Sequence, residues 1–162
     1  GLDGSVIQPF DIFALENVDA EELCRRMGEW GFNGVKFTPF RFKPATGRYR
    51  SVVMAGARVT ADPKAPANLT AINMAGLEIL KKLLPHKNFF ADAENVLMFD
   101  KLNRTRQTRK MVEAGMTARQ IVASWDAGVT RWREERKPYL LYPESAEPAR
   151  PAPTASPARL KP

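Results

Sequence analysis

Residues 51–61 read SVVMAGARVTA, a stretch whose single charge is Arg58. A run this apolar, closed by Asp62 and Pro63, has the character of a strand covered on both faces, and it predicts the central strand of a sheet. Gly56 in its middle predicts another backbone passing close by, because a strand interior otherwise gains from a side chain. Upstream, 35–42 (VKFTPFRF) predicts a second strand whose apolar phase shifts around Pro39, as at a bulge. Further out, 7–15 (IQPFDIFAL) predicts a short strand that Pro9 confines to an edge or a strand start.

Helices fill the rest. Asp19 is a good N-cap with Glu22 three residues on, and Val18 and Leu23 are spaced as a hydrophobic staple across it. Leu23, Met27 and Trp30 then share one face opposite Arg25 and Arg26, until Gly31 to Gly34 ends the helix. Leu69, Ile72, Gly76, Ile79, Leu80 and Leu83 keep helical spacing up to Pro85. A third helix is expected over 104–114, closed by Gly115. Thr117 and Gln120 form a capping-box pattern opening a fourth, with Met116 and Ile121 as staple and Ile121, Trp125, Val129 and Trp132 as its buried stripe. Pro138 stops it, and 139–142 (YLLY) reads as a short terminal strand. The expectation is α+β: a small mixed β-sheet packed against about four α-helices in residues 1–142. Residues 143–162 hold six prolines and almost no large apolar side chain, so they are expected to be a disordered tail.

Composition narrows the function classes. Twenty-five Lys and Arg against eighteen Asp and Glu leave +7, which favours polyanions: nucleic acid, cell-wall polymers or membrane surfaces. Cys24 alone excludes an internal disulfide framework and a cysteine-rich zinc site, and His86 alone excludes a histidine-based metal centre. No metal or cofactor is therefore expected. No apolar run reaches the roughly 18 residues of a membrane span.

Glycoside hydrolysis normally needs two carboxyl groups about 5 to 9.5 Å apart, one with a raised pKa. No such pair is evident, and the expected catalytic set is empty. Glu21 and Glu22 fall in a helix's first turn, where acids favour the dipole, and Asp100 is expected to brace neighbouring helices. Arg104, Arg106, Arg109 and Lys110 read as a solvated surface, and Trp30, Trp125 and Trp132 as core. The loop segment 41–50 (RFKPATGRYR) differs, because it interleaves basic and aromatic side chains between two strands. Rings can stack on sugars and guanidinium groups can hold carboxylates in bidentate geometry. The candidate binding residues are Arg41, Phe42, Lys43, Arg48 and Tyr49, with Arg58 in the central strand and Asp62 at its end.

Four stretches in order, from Pro9 to Tyr142, resemble the C-terminal domain of the NamZ-type exo-β-N-acetylmuramidases. They are Pro9, Phe10 and Asp11 with Val18 and Asp19; Phe42, Lys43 and Pro44 with Tyr49 and Gly56; Phe99, Asp100 and Leu102; and Gly115, Ile121, Trp125 and Arg136 with the 139–142 closure. The sequence departs from the family at Gly4, Ser5 and Val6, where Arg-Gly-Thr is usual, and at Ala14, Leu15, Glu16 and Asn17, where Gly-Ala-Pro-Trp is usual. Met54 stands at a frequent cysteine and Thr60 near a frequent histidine. The resemblance implies an ancillary substrate-cleft domain acting on peptidoglycan-derived sugars or muropeptides, periplasmic or secreted. Its partner would be an N-terminal Rossmann-like domain carrying the catalytic glutamate, which these residues do not contain. The alternatives are a free-standing cell-wall glycan-binding module and, with no recognised motif in its favour, a nucleic-acid binder.

Overall fold

The computed structural model describes residues 11–47, 49–65 and 67–142. Its elements run β1 (Ile12–Leu15), α1 (Ala20–Gly28), β2 (Val35–Phe42), β3 (Met54–Ala61), α2 (Leu69–Leu83), α3 (Ala93–Asn103), α4 (Gln107–Glu113), α5 (Ala118–Ala123) and α6 (Asp126–Arg136), then a 3₁₀ turn at Lys137–Tyr139. The class is α+β, as expected. The three strands are ordered β1-β3-β2 and pair antiparallel throughout, where a mixed sheet was expected. Helix α1 carries the chain from β1 to β2 in the same direction, but β3 returns through the 43–53 loop to lie between them, so every neighbouring pair is antiparallel.

The central position of β3 is the one its composition predicts. Gly56 lies opposite Ala14 and Phe40, and a Cβ there would stand 2.1 Å from the Phe13 carbonyl oxygen and 2.6 Å from Ala14 Cα. Only a missing side chain lets β1 sit this close. The expected bulge at Pro39 is absent, because the register runs unbroken from Val35 opposite Ala61 to Phe42 opposite Met54. Pro39 is tolerated because β2 is an edge strand, where a missing N–H need not cost a ladder bond. Of the first strand, Ile12–Leu15 is paired, and residues 7–10 lie outside the described residues.

Alternation along the strands gives the sheet two faces. Phe13, Leu15, Val35, Phe37, Ala57 and Val59 pack with Leu23 and Met27 of α1 and Ile72, Ala75, Ile79 and Leu80 of α2. A second core joins Met74 of α2 to Met111, Val112, Ala118 and Ile121, with Phe90, Phe99 and Trp125 against it. Trp30 touches both cores. The caps behave as the sequence suggests: Asp19 Oδ1 accepts from Glu22 N at 3.0 Å, and Thr117 and Gln120 close a full capping box.

The structure departs from expectation at four points beyond residue 90. Helix α3 was not anticipated, since none of its residues is buried and its outward face carries Leu97, Met98 and Leu102. The following helix starts at Gln107, not at 104, because Arg104 takes a left-handed conformation (φ 58°) to cap α3. The fourth helix is two helices. The Ser124 hydroxyl donates to the Ile121 carbonyl at 2.6 Å, and the Trp125 N–H turns instead to Val122 O at 3.1 Å. This shifts the phase, so Ile121 is buried and Trp125 half-buried, while Val129 and Trp132 are 40% and 53% exposed. The expected terminal strand is also absent: Pro138 sits in the 3₁₀ turn, and Tyr139, Leu141 and Tyr142 are exposed with no strand beside them. The expected tail, 143–162, lies outside the described residues.

Gly56→Ala should cost about 3 kcal/mol in a urea melt, since the obstructing atoms are backbone. Gly28→Ala, with no atom within 4 Å of its new Cβ, should be neutral or stabilising by about 0.5 kcal/mol. Equal losses in the two variants would contradict the β1–β3 packing. By the same measurement Trp132→Ala should change stability by no more than about 0.5 kcal/mol, whereas Ile121→Ala should cost about 2 to 5 kcal/mol.

Candidate functional site

The β2–β3 hairpin carries most of the candidate binding residues, and its register separates them. Phe42 pairs with Met54 at the end that opens into the 43–53 loop, whereas Val35 pairs with Ala61 at the other end, next to Asp62. Seven residue steps of strand put Asp62 roughly 23 Å from that loop. Its carboxylate accepts from the Lys64 N–H at 2.9 Å, and its own N–H donates to Gly34 O at 2.8 Å. This is turn chemistry, and Asp62 does not join the other candidates.

The loop is folded on itself. Gly47 (φ 80°) and Ser51 (φ 67°) make its reversals, and Ser51 N donates to Pro44 O at 3.1 Å. Lys43 and Tyr49 are exposed at its surface, and Arg48 lies outside the described residues. Arg41 is committed elsewhere: its Nη2 donates to Glu21 Oε2 of α1 at 3.1 Å. That exposed pair is a weak tether, yet it turns Arg41 toward the helix side.

Opposite the helices, the outer face of the sheet collects residues that the loop reading passed over. Phe40 and Phe42 stand side by side with ring centroids 5.8 Å apart, and the Arg58 guanidinium lies 4.1 Å over the Phe40 ring. Sequence reasoning included Phe42 and Arg58 but missed Phe40. The two-residue period of VKFTPFRF was the available signal, since it places Thr38, Phe40 and Phe42 on one face.

The carboxyl groups are occupied in holding helices. Glu22 receives hydrogen bonds from Arg25 at 2.7 Å and Arg26 at 2.6 Å, which hold its pKa at about 2. Burial pushes Glu78 up, but Lys82, the Ala118 N–H and the nearby Arg119 outweigh it and leave it below the ordinary range. Both shifts run opposite to the one a general acid needs. Asp100 holds Arg109 through two bonds of 3.0 and 3.1 Å, bracing α3 on α4 as expected. The remaining basic residues of that cluster, Arg104, Arg106 and Lys110, are exposed. Cys24 is buried, and burial together with the Glu21 charge pushes its thiol up to about 11, so it is no nucleophile. Among the described residues no group of three His, Cys, Asp or Glu could hold a metal ion.

A separate cleft of about 230 Å³ lies between α2 and the α4–α5 corner, lined by Met74, Leu77, Val112 and Met116. Its charged rim is engaged in the fold: Lys81 Nζ donates to Val112 O at 2.7 Å, and Glu78 accepts from Lys82 and from Ala118 N at 2.6 Å each.

A three-stranded antiparallel sheet with helices on one face and an aromatic, arginine-bearing outer face defines an α+β domain. The chain belongs to the family described as "Exo-beta-N-acetylmuramidase NamZ, C-terminal", which matches residues 6–142. It is also similar to the crystal structure of a DUF1343 family protein from Bacteroides fragilis NCTC 9343, with a TM-score of 0.73 and 26% sequence identity over 83% of this chain. This chain spans 36% of that protein's length. No curated protein matches it. Among the described residues no helix is long and apolar enough to cross a membrane.

The Glu22 pairing predicts an acid-sensitive helix α1. The folded pKa of about 2 lies below the ordinary 4.5, so the stabilisation is full above about pH 4.5 and is lost as pH falls toward 2. Glu22→Gln should therefore flatten the decline of Tm across that interval, read by circular dichroism. An unchanged slope would mean the pairing does not persist in solution.

Proposed function

We propose that this domain forms one wall of the substrate cleft of an exo-acting β-N-acetylmuramidase, with the acid and base on a separate Rossmann-like domain. The observation that carries the reading is the family match across residues 6–142, combined with the employment of Glu22, Glu78, Asp62 and Asp100 in caps, turns and ion pairs. The ligand is a peptidoglycan-derived sugar or muropeptide. Its ring packs on Phe42 and Tyr49, and Lys43, Arg48 and Arg58 supply charge for its carboxylates. Arg41, tied to Glu21, is a peripheral member of the set, and Asp62 is left out of it by its distance. The other reading consistent with the same surface is a free-standing glycan-binding module. It differs in needing no catalytic partner.

The isolated chain should bind a MurNAc-peptide yet show no turnover of a chromogenic N-acetylmuramic acid glycoside. Tyr49→Ala should weaken binding by about three- to tenfold in a calorimetric titration. Robust turnover by the purified chain would overturn the division of labour between domains. Tight, steeply salt-dependent binding of arbitrary single-stranded oligonucleotides in place of muropeptide would show a nucleic-acid binder instead.

A further inference from the structure

We propose that the open edge of β1 is a self-association site, where a second copy of this chain adds its own β1 antiparallel and the two sheets become one.

The register decides which backbone groups point there. Val59 N donates to Asp11 O at 2.7 Å, which makes Asp11 and Val59 a hydrogen-bonded pair. Such pairs recur at every second residue of an antiparallel ladder, so Phe13 and Leu15 use their N–H and C=O groups on Ala57 and Ala55. Ile12 and Ala14 therefore turn theirs the other way, to an edge that no strand covers among the described residues. On β2 the bond from Asp62 N to Gly34 O at 2.8 Å sets the phase, and it sends the backbone groups of Val35, Phe37, Pro39 and Arg41 to the opposite edge of the sheet. There Pro39 has no N–H to offer and its ring stands where a neighbouring strand would lie, which closes that edge to pairing.

Nothing comparable guards β1. Its residues are Ile12, Phe13, Ala14 and Leu15, with neither a charge nor a proline among them. Glu16, the next residue, is turned to Lys87 at 3.2 Å. The strand is also held in place beforehand, since the Phe13 ring lies so close to α2 that a Cβ on Gly76 would stand 2.5 Å from its Cζ. A fixed apolar strand whose outward donors and acceptors alternate is complementary to itself about a two-fold axis. With Phe13 opposite the partner's Phe13, Ile12 exchanges both of its bonds with the partner's Ala14, and Ala14 with the partner's Ile12. Equal parity keeps each face of the sheet continuous across the axis. Asp11 falls opposite the partner's Leu15, so like charges do not meet. A strand of this length makes a small interface, which belongs to the transient class.

Sedimentation equilibrium of the full chain tests this. The mass should rise from 18.2 kDa toward twice that value, with half-association at about 0.1 mM, as suits so small a contact. Ala14→Pro, which puts on β1 the device that Pro39 supplies on β2, should stay at 18.2 kDa up to about 1 mM. Should that variant fail to fold, amide exchange of the wild-type chain decides. The Ile12 and Ala14 amides should slow about fourfold between about 20 µM and about 1 mM by mass action, while Phe13 and Leu15, bonded to β3, keep one rate. A wild-type mass that stays at 18.2 kDa up to about 1 mM, or exchange at Ile12 and Ala14 that ignores concentration, overturns the proposal. So does a folded Ala14→Pro chain that associates like the wild type, which moves the contact to another surface. Protection of the two amides by a MurNAc-peptide in a chain that stays monomeric overturns it as well, and makes the edge a peptide site.

Discussion

Both cores of the domain are held by one helix. The sheet-facing side of α2 presents Ile72, Ala75, Ile79 and Leu80 to β3 and α1, and Met74 faces the corner of α4 and α5. Two polar side chains extend the same grip. Lys81 closes a carbonyl at the end of α4 through Val112 O, and Glu78 takes the first free N–H of α5 at Ala118. These are orphan groups of helix ends, costly to leave unmet where water is excluded. A helix of apolar side chains alone would leave them so, and the short helices α4 and α5 would lose their seats.

That arrangement accounts for the chemistry of the domain. Carboxylates placed to receive backbone N–H groups and guanidinium donors are stabilised as anions, which is what a cap needs and the reverse of what proton donation to a glycosidic oxygen needs. The helix side of the sheet is filled by packing. The outer face carries Phe40, Phe42 and Arg58, and the loop beyond it exposes Lys43 and Tyr49.

The apolar residues that stay exposed are concentrated late in the chain, on α3 and around the 3₁₀ turn. The local sequence there is apolar enough to suggest burial, and the periodicity of Ile121, Trp125, Val129 and Trp132 reads as a single stripe. One hydroxyl ends that stripe: Ser124 takes the Ile121 carbonyl, the helix tightens, and Trp132 turns outward beneath Arg136. A periodic pattern cannot announce such a break, because serine is compatible with a helix interior until its side chain competes for the backbone.

What the sequence by itself determined is local or binary. The charge-poor run around Gly56 marked the central strand, whose Met54, Ala55, Gly56 and Ala57 are buried in succession, and the missing side chain marked the close approach of β1. Asp19, and Thr117 with Gln120, marked two helix starts, because a cap is a contact within three residues. The ordered motifs from Pro9 to Tyr142 marked the family. Only the tertiary structure decided what depends on residues far apart in the chain: that the strands pair antiparallel throughout, that Asp62 lies at the far end of the hairpin from Tyr49, that Arg41 is tied to Glu21 while Arg58 lies over Phe40, and that Phe40 and Phe42 share that surface. Register and long-range ion pairing set these, and composition leaves both open.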